Sequence, residues 1–210
     1  MKVHGQAYFA RDTLTVAHDL VGSRLIREQA TGDPLVGRIV ETEAYTQEDP
    51  AFHGSHLYDP ATDTFEGEGR GADLFTAPGR GYVYLIYGMY WLLNVVTEPD
   101  GTGGAVLIRA VEPEENISVM RDRRSAARRD VDLTNGPGKL TEAFGVDDSF
   151  HQADLTDSPL YFAEGTLSDG EVVTTSSRIG ISKGVDRAWR FFIEDHPYVS
   201  PATPSGQKDS

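Results

Sequence analysis

A pair of carboxylates, Glu41 and Glu43, stands in the segment 40–45, and Tyr45 follows two residues later. On a β-strand successive side chains point to opposite faces, so all three side chains would project from one side. The two carboxyl groups would then lie roughly 6.5 to 7 Å apart, close enough to raise one another's pKa and far enough apart to admit a water. That arrangement suits general acid and base catalysis, and a solvated strand face is the alternative interpretation.

Two histidines, His53 and His56, follow the acidic strand. Together with Glu41 and Glu43 they could supply the ligands of a metal site, because a chain without cysteine is restricted to histidine and carboxylate ligands. His53 could instead donate a hydrogen bond to a polar substrate, and both histidines could be ordinary loop residues. The spacing alone leaves these alternatives open.

Two runs of aromatic and β-branched residues, 82–87 and 91–97, predict a β-hairpin. Alternation places Tyr82 and Tyr84 on one face of the first strand and leaves Tyr87 at the tip. A core strand does not explain an aromatic residue at a turn, because an exposed apolar tip usually marks an interaction site. Such a residue could enter between stacked bases of a nucleic acid, or it could dock another protein.

The remaining pattern mixes helices and strands without regular alternation. Helices are predicted at 12–21, 115–129 and 138–144, strands at 23–27, 35–45, 105–111, 160–162 and 190–193, and a long loop at 46–71. The predicted fold class is therefore α+β, with a mixed, mainly antiparallel curved sheet, surrounding helices and the protruding hairpin. Residues 1–200 are expected to form a single compact domain, and 201–210 a flexible tail.

The chain carries 33 acidic residues against 19 basic ones, and its net charge is −14. This balance argues against a nucleic-acid partner, because phosphate neutralisation supplies most non-specific affinity for DNA. Only four of the 19 basic residues are lysines. An acidic, lysine-poor surface keeps a protein soluble in concentrated salt, where self-repulsion is screened. The composition therefore favours a halophilic source, and an acidic surface on a mesophilic protein is the alternative.

No segment is apolar and long enough to span a membrane, and the first residues contain no apolar core of a secretory signal. We therefore expect a protein without a membrane partner that resides in the cytoplasm.

Several segments closely resemble the alkyladenine DNA glycosylase family, also called 3-methyladenine or methylpurine glycosylases. The resemblance rests on RIVETEAY, PGRGYVYLIYGMYWLLN, GGAVLIRAVEP, LTNGPGKL and the weaker SRIGI and RFFI, in the family's order and spread over most of the chain. It implies a monofunctional, base-excision-repair enzyme that flips damaged purines out of double-stranded DNA and hydrolyses the N-glycosidic bond with an activated water. It implies no cofactor and no metal, and we expect a monomer.

The resemblance also assigns catalytic roles. Glu43 would be the general base for the water, and Arg109 would hold that water and the catalytic carboxylate. The main-chain carbonyl of Ile193 would be a further water ligand. No lysine falls in the matched pocket segments, so a Schiff-base lyase step is not expected.

Further residues are matched to the base pocket. Tyr45 would stack on the flipped base, and His53 and Tyr84 would enclose it, with His53 offering a hydrogen bond to the purine edge. Asn94 would lie where the exocyclic amine of guanine would go, and so discourage normal guanine. An alkylated purine carries positive charge, which weakens its glycosidic bond and strengthens its stacking on aromatic faces.

DNA contacts follow from the same resemblance. Tyr87 would fill the gap left in the duplex by the flipped nucleotide. Lys139 and Gly136, in the glycine-rich LTNGPGKL motif at a helix start, would meet phosphates. Arg121, in a run of arginines, is a further candidate, and a solvated helix paired with nearby acids is the alternative.

One departure from the family pattern is the segment HGSHLYDPATDTFEGEGRGADLF, which is longer than in the family and has Gly71 where asparagine is expected. Because of this insertion, the family pattern does not fix the exact position of His53. The lesion preference, which depends on His53, is not fixed either.

Overall fold

The computed structural model of the protein describes residues 1–206. The strands are β1 (Arg24–Arg27), β2 (Leu35–Thr46), β3 (Tyr58–Asp59), β4 (Thr64–Phe65), β5 (Gly81–Ile86), β6 (Tyr90–Val96), β7 (Gly104–Glu115), β8 (Leu160–Ala163), β9 (Val173–Ser176) and β10 (Arg190–Ile193). The α-helices are α1 (Gln6–Phe9), α2 (Thr13–Leu20), α3 (Ile117–Arg123) and α4 (Pro137–Phe144). Short 3-10 helices span Arg70–Phe75, Asp130–Leu133 and Asp148–Phe150.

An antiparallel sheet of eight strands organises the molecule, in the order β5-β6-β7-β2-β1-β8, with β10 paired to both β2 and β9. Helix α2 packs against β2, and α4 packs against β6. The mixture of one mainly antiparallel sheet with separate helices confirms the predicted α+β class. None of the helices in residues 1–206 is long and apolar enough to cross a membrane.

Strand β2 lies at the centre of the sheet and shows the predicted alternation. Thr42 points to the helical side, where its hydroxyl donates to the carbonyl of Ala17 at 2.7 Å. Glu41 and Glu43 point the other way, and both carboxylates contact the guanidinium of Arg109 on β7. Register shifts occur between β2 and β7 around Glu41. Both acids are fully buried, so the alternative of a solvated strand face is wrong.

The hairpin of β5 and β6 is the predicted one, and its tip is a tight turn. Tyr87 and Gly88 have φ angles of 54° and 67°, and the backbone N–H of Met89 donates to the carbonyl of Ile86 at 3.1 Å. Two central residues with positive φ are typical of the type I′ turn, whose twist matches that of the flanking strands. The side chain of Tyr87 is 83% exposed at this tip.

The largest differences from the expected elements are in two places, and most other predicted ends lie within about one residue of the observed ones. Helix α3 is shorter than 115–129, because β7 continues through Glu115 and Asn116 adopts a φ of 55° before the helix begins. The predicted loop 46–71 contains the small hairpin of β3 and β4. Its Phe65 stacks on Phe75 with ring centroids 4.3 Å apart, so the insertion is packed on the aromatic cluster behind β5.

The C-terminal residues 201–210 were expected to form a flexible tail, and residues 207–210 lie outside the described residues. Ser205 donates its backbone N–H to the carbonyl of Arg178 at 2.7 Å. Its hydroxyl accepts from the N–H of Ile181 at 3.1 Å, and its carbonyl accepts from the hydroxyl of Ser177 at 2.9 Å. The domain boundary at residue 200 stays a prediction.

Candidate active site

A cavity of about 800 Å³ opens beside the aromatic hairpin. Its wall is formed by β2, β5, β6 and β7, by the segment 50–53, by the start of α4 and by the loop 179–183. Eight of the sequence-predicted site residues line it: Tyr45, His53, Tyr84, Tyr87, Asn94, Arg109, Gly136 and Lys139. The fold therefore brings residues from four matched motifs and from the segment that begins with His53 to one place.

Glu43 lies directly behind this wall and is bound to three of the residues that form it. Its Oε2 accepts from the hydroxyl of Tyr45 at 2.8 Å and lies 3.3 Å from Nη1 of Arg109, and its Oε1 accepts from the backbone N–H of Ile179 at 2.7 Å. A carboxylate has about four lone-pair sites. Glu43 thus retains about one site for a water molecule.

Glu41 also has three donors, but only one of them, Arg109, lines the cavity. Its Oε1 accepts from Nε of Arg190 at 2.6 Å and from Nε of Arg109 at 3.1 Å, and its Oε2 accepts from the N–H of Ser200 at 2.7 Å. Burial alone would raise the pKa of Glu41, but Arg109, Arg190 and the donors of Ser200 outweigh it and lower the pKa.

The expectation that the two carboxylates raise one another's pKa is therefore wrong for Glu41. The physical reason is that Arg109 lies between them: its Nε contacts Glu41 and its Nη1 contacts Glu43. Burial would lower the pKa of Arg109, whereas Glu43 and Glu41 raise it, and the net shift is upward. Glu41 serves as a counter-ion of the arginines, and Glu43 is the carboxylate next to the cavity.

Aromatic rings form much of the cavity wall. The rings of His53 and Tyr84 have centroids 4.4 Å apart, and Nδ1 of His53 lies 3.2 Å from the hydroxyl of Tyr82. Burial raises the pKa of Tyr82 to about 12 and also raises the pKa of Tyr84. Burial, and then Glu43, raise the pKa of Tyr45. These phenols are neutral at physiological pH, so the wall offers uncharged π-faces and hydroxyl groups.

His53 and Asn94 are each fixed by a contact with Tyr82. Desolvation of the His53 ring, and then the charge of His56, lower the pKa of His53. Nδ2 of Asn94 donates to the carbonyl of Tyr82 at 3.0 Å, across the hairpin pair that the two residues form. His53 lines the cavity, so the insertion that follows it in the sequence does not remove it from the cavity wall.

Two predicted site residues are not brought to the cavity. The carbonyl of Ile193 accepts from the backbone N–H of His196 at 3.3 Å, and Ile193 packs in the core on β10. Arg121 forms two hydrogen bonds of 2.7 Å with the carboxylate of Asp130. The alternative interpretation of the arginine run as a helix paired with nearby acids thus describes Arg121.

Sequence reasoning missed the loop after β9. Ile179 binds Glu43, and Arg178, from the matched SRIGI segment, is fully buried behind Tyr45. Lys183, for which no role was predicted, also lines the cavity, as does the predicted phosphate contact Lys139. The SRIGI match was the only signal for this loop, because its contacts with β2 span more than a hundred residues of sequence.

The described residues do not support the alternative of a metal site formed by Glu41, Glu43, His53 and His56. Within residues 1–206 no three histidine, aspartate or glutamate side chains are grouped so that they could hold a metal ion. Both oxygens of Glu41 are occupied by arginine and backbone donors.

Comparisons with known proteins identify the family of the chain. The family model described as methylpurine-DNA glycosylase matches residues 7–197. A provisionally named 3-methyladenine DNA glycosylase of Salinibacter ruber is 63% identical over 201 residues, which cover 95% of this chain and 97% of the relative. Provisionally named 3-methyladenine DNA glycosylases of Prosthecochloris aestuarii and Rubrobacter xylanophilus are 44% and 45% identical, over 94% and 90% of this chain and 90% and 93% of the relatives.

Proposed function

Because the chain belongs to the methylpurine-DNA glycosylase family, whose members are DNA repair hydrolases, we propose that its cavity receives an alkylated or deaminated purine flipped out of duplex DNA. The lesion class is that of 3-methyladenine. The products are the free base and an abasic site.

Glu43 is the general base of this reaction. The carboxylate takes a proton from water while the water oxygen bonds to C1′ of the deoxyribose, and the electron pair of the N-glycosidic bond leaves with the purine. The one open lone-pair site of Glu43 admits that water, and the negative charge stabilises the oxocarbenium-like sugar. Arg109, Tyr45 and the N–H of Ile179 hold the carboxylate in place.

The aromatic wall selects the base. A purine with positive charge stacks more strongly on the faces of Tyr45 and Tyr84 than a neutral purine does. The phenol of Tyr82, with a pKa of about 12, donates to Nδ1 of His53, so that Nε2 of His53 carries the proton and donates to the purine edge. Asn94, held by the carbonyl of Tyr82, occupies the space of the guanine amine.

Tyr87 fills the gap in the duplex. It is an exposed aromatic residue at the end of a rigid turn beside the cavity, and aromatic wedges of this kind enter between base steps. Lys139 and the backbone around Gly136, at the start of α4, bind the phosphates that flank the lesion. Arg121 is not included, because Asp130 already occupies its guanidinium.

The observation that carries the proposal is Glu43, a fully buried carboxylate bound to three residues of the cavity wall. The test incubates the protein with methylated duplex DNA and identifies the released bases by mass spectrometry. We expect release of 3-methyladenine, a loss of roughly 10²- to 10⁴-fold in Glu43→Gln, and no effect of chelator. Glu48→Gln, an exposed carboxylate beyond the end of β2, is the matched control.

The alternatives have distinct outcomes in the same assay. Loss of activity with chelator would favour a metal-dependent hydrolase, and lesion binding without base release would favour a damage-binding module. Because Lys139 and Lys183 line the cavity, borohydride is added in a further reaction. We expect no covalent complex with DNA, since the water activated by Glu43 is the nucleophile.

A further inference from the structure

Arg178 is a buried cation that the glycosylase mechanism above does not use. Its side chain is fully buried, and its Nη1 donates to the carboxylate of Asp49, which is buried as well. Its Nη1 also donates to the carbonyl of Ala44 at 2.9 Å, and its Nη2 donates to the carbonyl of Gly184 at 3.2 Å. Replacing a buried ion pair by apolar residues is often neutral or stabilising, so stability alone does not account for this pair.

The first link from Arg178 to the site runs through Tyr45. The guanidinium carbon of Arg178 lies 4.5 Å from the centroid of the Tyr45 ring. Tyr45 lines the cavity and Arg178 does not, so the cation backs the ring from the side away from the cavity. The hydroxyl of the same ring donates to Oε2 of Glu43. The position of Arg178 therefore sets the position of one donor to Glu43.

The second link runs through the backbone. Ile179 follows Arg178 directly, and its N–H donates to Oε1 of Glu43 at 2.7 Å. The carbonyl of Ala44, which binds Arg178, lies in the chain between Glu43 and Tyr45. One side chain thus joins the loop after β9 to the end of β2, where the catalytic carboxylate is held.

We propose that Arg178 is a positioning residue, which orients Glu43 by fixing the Tyr45 ring and the Ile179 N–H at the same time. This inference rests on the proposed function, because it assigns a role in the reaction of Glu43. Arg178 touches neither the base nor the reacting atoms and acts through Tyr45 and Ile179.

Arg187 provides a matched control. Its guanidinium carbon lies 4.4 Å from the Trp189 ring, and its Nη1 lies 3.9 Å from the carboxylate of Asp49. Arg178 shares both partners, at 5.3 Å from the Trp189 ring and in the ion pair with Asp49. Arg187 makes no contact with Tyr45 or Glu43 in the described structure. A comparison of the two arginines therefore separates general packing from the position of the carboxylate.

The experiment replaces the ion pair as a unit, because Arg178→Met alone would leave the charge of Asp49 buried without a partner. The double variant Arg178→Met/Asp49→Asn, the variant Arg178→Lys and the control Arg187→Gln are compared with the wild type after circular dichroism has shown that each is folded. Single-turnover base release from methylated duplex DNA and affinity for the same duplex are measured.

We expect the double variant to lose roughly 10- to 100-fold in the single-turnover rate, as small misplacements of catalytic groups do, with DNA affinity within about twofold of the wild type. Arg178→Lys keeps the cation and should recover part of the rate, and Arg187→Gln should match the wild type. An unchanged rate in the folded double variant, an equal loss in Arg187→Gln, or a loss confined to affinity would overturn the proposal.

A second measurement does not depend on glycosylase activity. Amide hydrogen exchange at Ile179 should be faster in the double variant than in the wild type, while exchange in the central strands β6 and β7 stays the same. If the wild type releases no base, the proposed function fails and the exchange result still decides whether Arg178 fixes the Ile179 N–H. Unchanged exchange at Ile179 would contradict the inference about Arg178 alone.

Discussion

Four charged side chains at the centre of the site balance one another. Glu41, Glu43, Arg109 and Arg190 are between 0% and 6% exposed, and each carboxylate contacts at least one guanidinium. Removing one member of such a group leaves an uncompensated buried charge, which typically costs about 3 to 5 kcal/mol. Loss of activity in a variant of Glu41 or Arg190 would therefore report on folding as much as on chemistry.

The sequence indicated part of this arrangement. Period-two alternation placed Glu41 and Glu43 on one face, because that rule depends only on local backbone geometry. It could not supply Arg190 or the N–H of Ile179, which lie 149 and 136 residues from the carboxylates they bind. No local pattern encodes such pairs, so the fold was needed to show that Glu41 is a counter-ion of the arginines, whereas the choice of Glu43 as the proposed base came from the family resemblance.

At the scale of single residues, His53 gives a pH-dependent prediction. Its pKa lies below the ordinary value of 6.5, so the neutral ring persists until the pH falls below that value. Protonation then adds a cation to a pocket that receives a cationic base in the proposed function. We expect excision of 7-methylguanine to fall in this acidic range more steeply than excision of neutral hypoxanthine, when both rates are measured from pH 5 to pH 8 in duplex DNA.

Two histidine variants check the assignment. His53→Gln should remove the difference between the two lesions at acidic pH. His56→Gln should move the acidic limb to higher pH, because the charge of His56 lowers the pKa of His53. A lesion difference that persists unchanged in His53→Gln would count against the role of this histidine.

At the scale of elements, neighbouring strands assemble the cavity. The order β5-β6-β7-β2 places Tyr84, Asn94, Arg109 and Tyr45 side by side across one sheet. The sequence predicted these strands well, because alternating apolar residues and the glycine at the hairpin tip are strong local signals. It did not predict β9, whose residues Val173–Ser176 are partly buried or exposed and show no clear alternation.

The turn geometry allows the role of Tyr87 to be tested without loss of the hairpin. Asparagine followed by glycine is the preferred pair for a type I′ turn, so Tyr87→Asn should keep the turn while removing the ring. Base stacking on an aromatic side chain contributes about 1 to 3 kcal/mol, and we expect affinity for lesion duplex to fall about tenfold or more. Thermal unfolding should change little.

Measurements at low and high salt identify the origin of this loss. Stacking is not screened by salt, so the ratio of wild-type to Tyr87→Asn affinity should persist or grow as salt rises. Val172→Asn, which removes an exposed apolar side chain that does not line the cavity, should leave affinity unchanged. An equally small loss for Tyr87→Asn at both salt concentrations would argue against an intercalating role.

At the scale of the whole molecule, the net charge of −14 must be reconciled with a DNA substrate. Many arginines are already engaged by acids, among them Arg24 with Glu114, Arg38 with Glu112 and Arg121 with Asp130. Lys139 and Lys183, by contrast, lie at the cavity wall. We propose that the acidic surface is an adaptation to salt and that positive charge is concentrated at the cavity.

This distribution predicts a specific salt dependence. Each phosphate contact contributes about 0.9 to the slope of log affinity against log salt. Lys183→Ala should therefore reduce the slope by roughly one unit or slightly less, whereas Arg128→Ala, an exposed cation that does not line the cavity, should leave it unchanged. Affinities for duplex DNA over a range of potassium chloride concentrations provide the slopes. Equal slopes for the wild type and Lys183→Ala would exclude a phosphate contact.

The hydrogen bond from Ser200 to Glu41 has a consequence for biosynthesis. The N–H of Ser200 reaches a carboxylate that lies 159 residues earlier in the chain. During translation β2 leaves the ribosome first. Arg109 and then Ile179 follow, and Ser200 emerges last. The set of donors around Glu41 and Glu43 is therefore completed late. When only the first 190 residues have emerged from the ribosome, both carboxylates are present but the N–H of Ser200 is not yet available to Glu41.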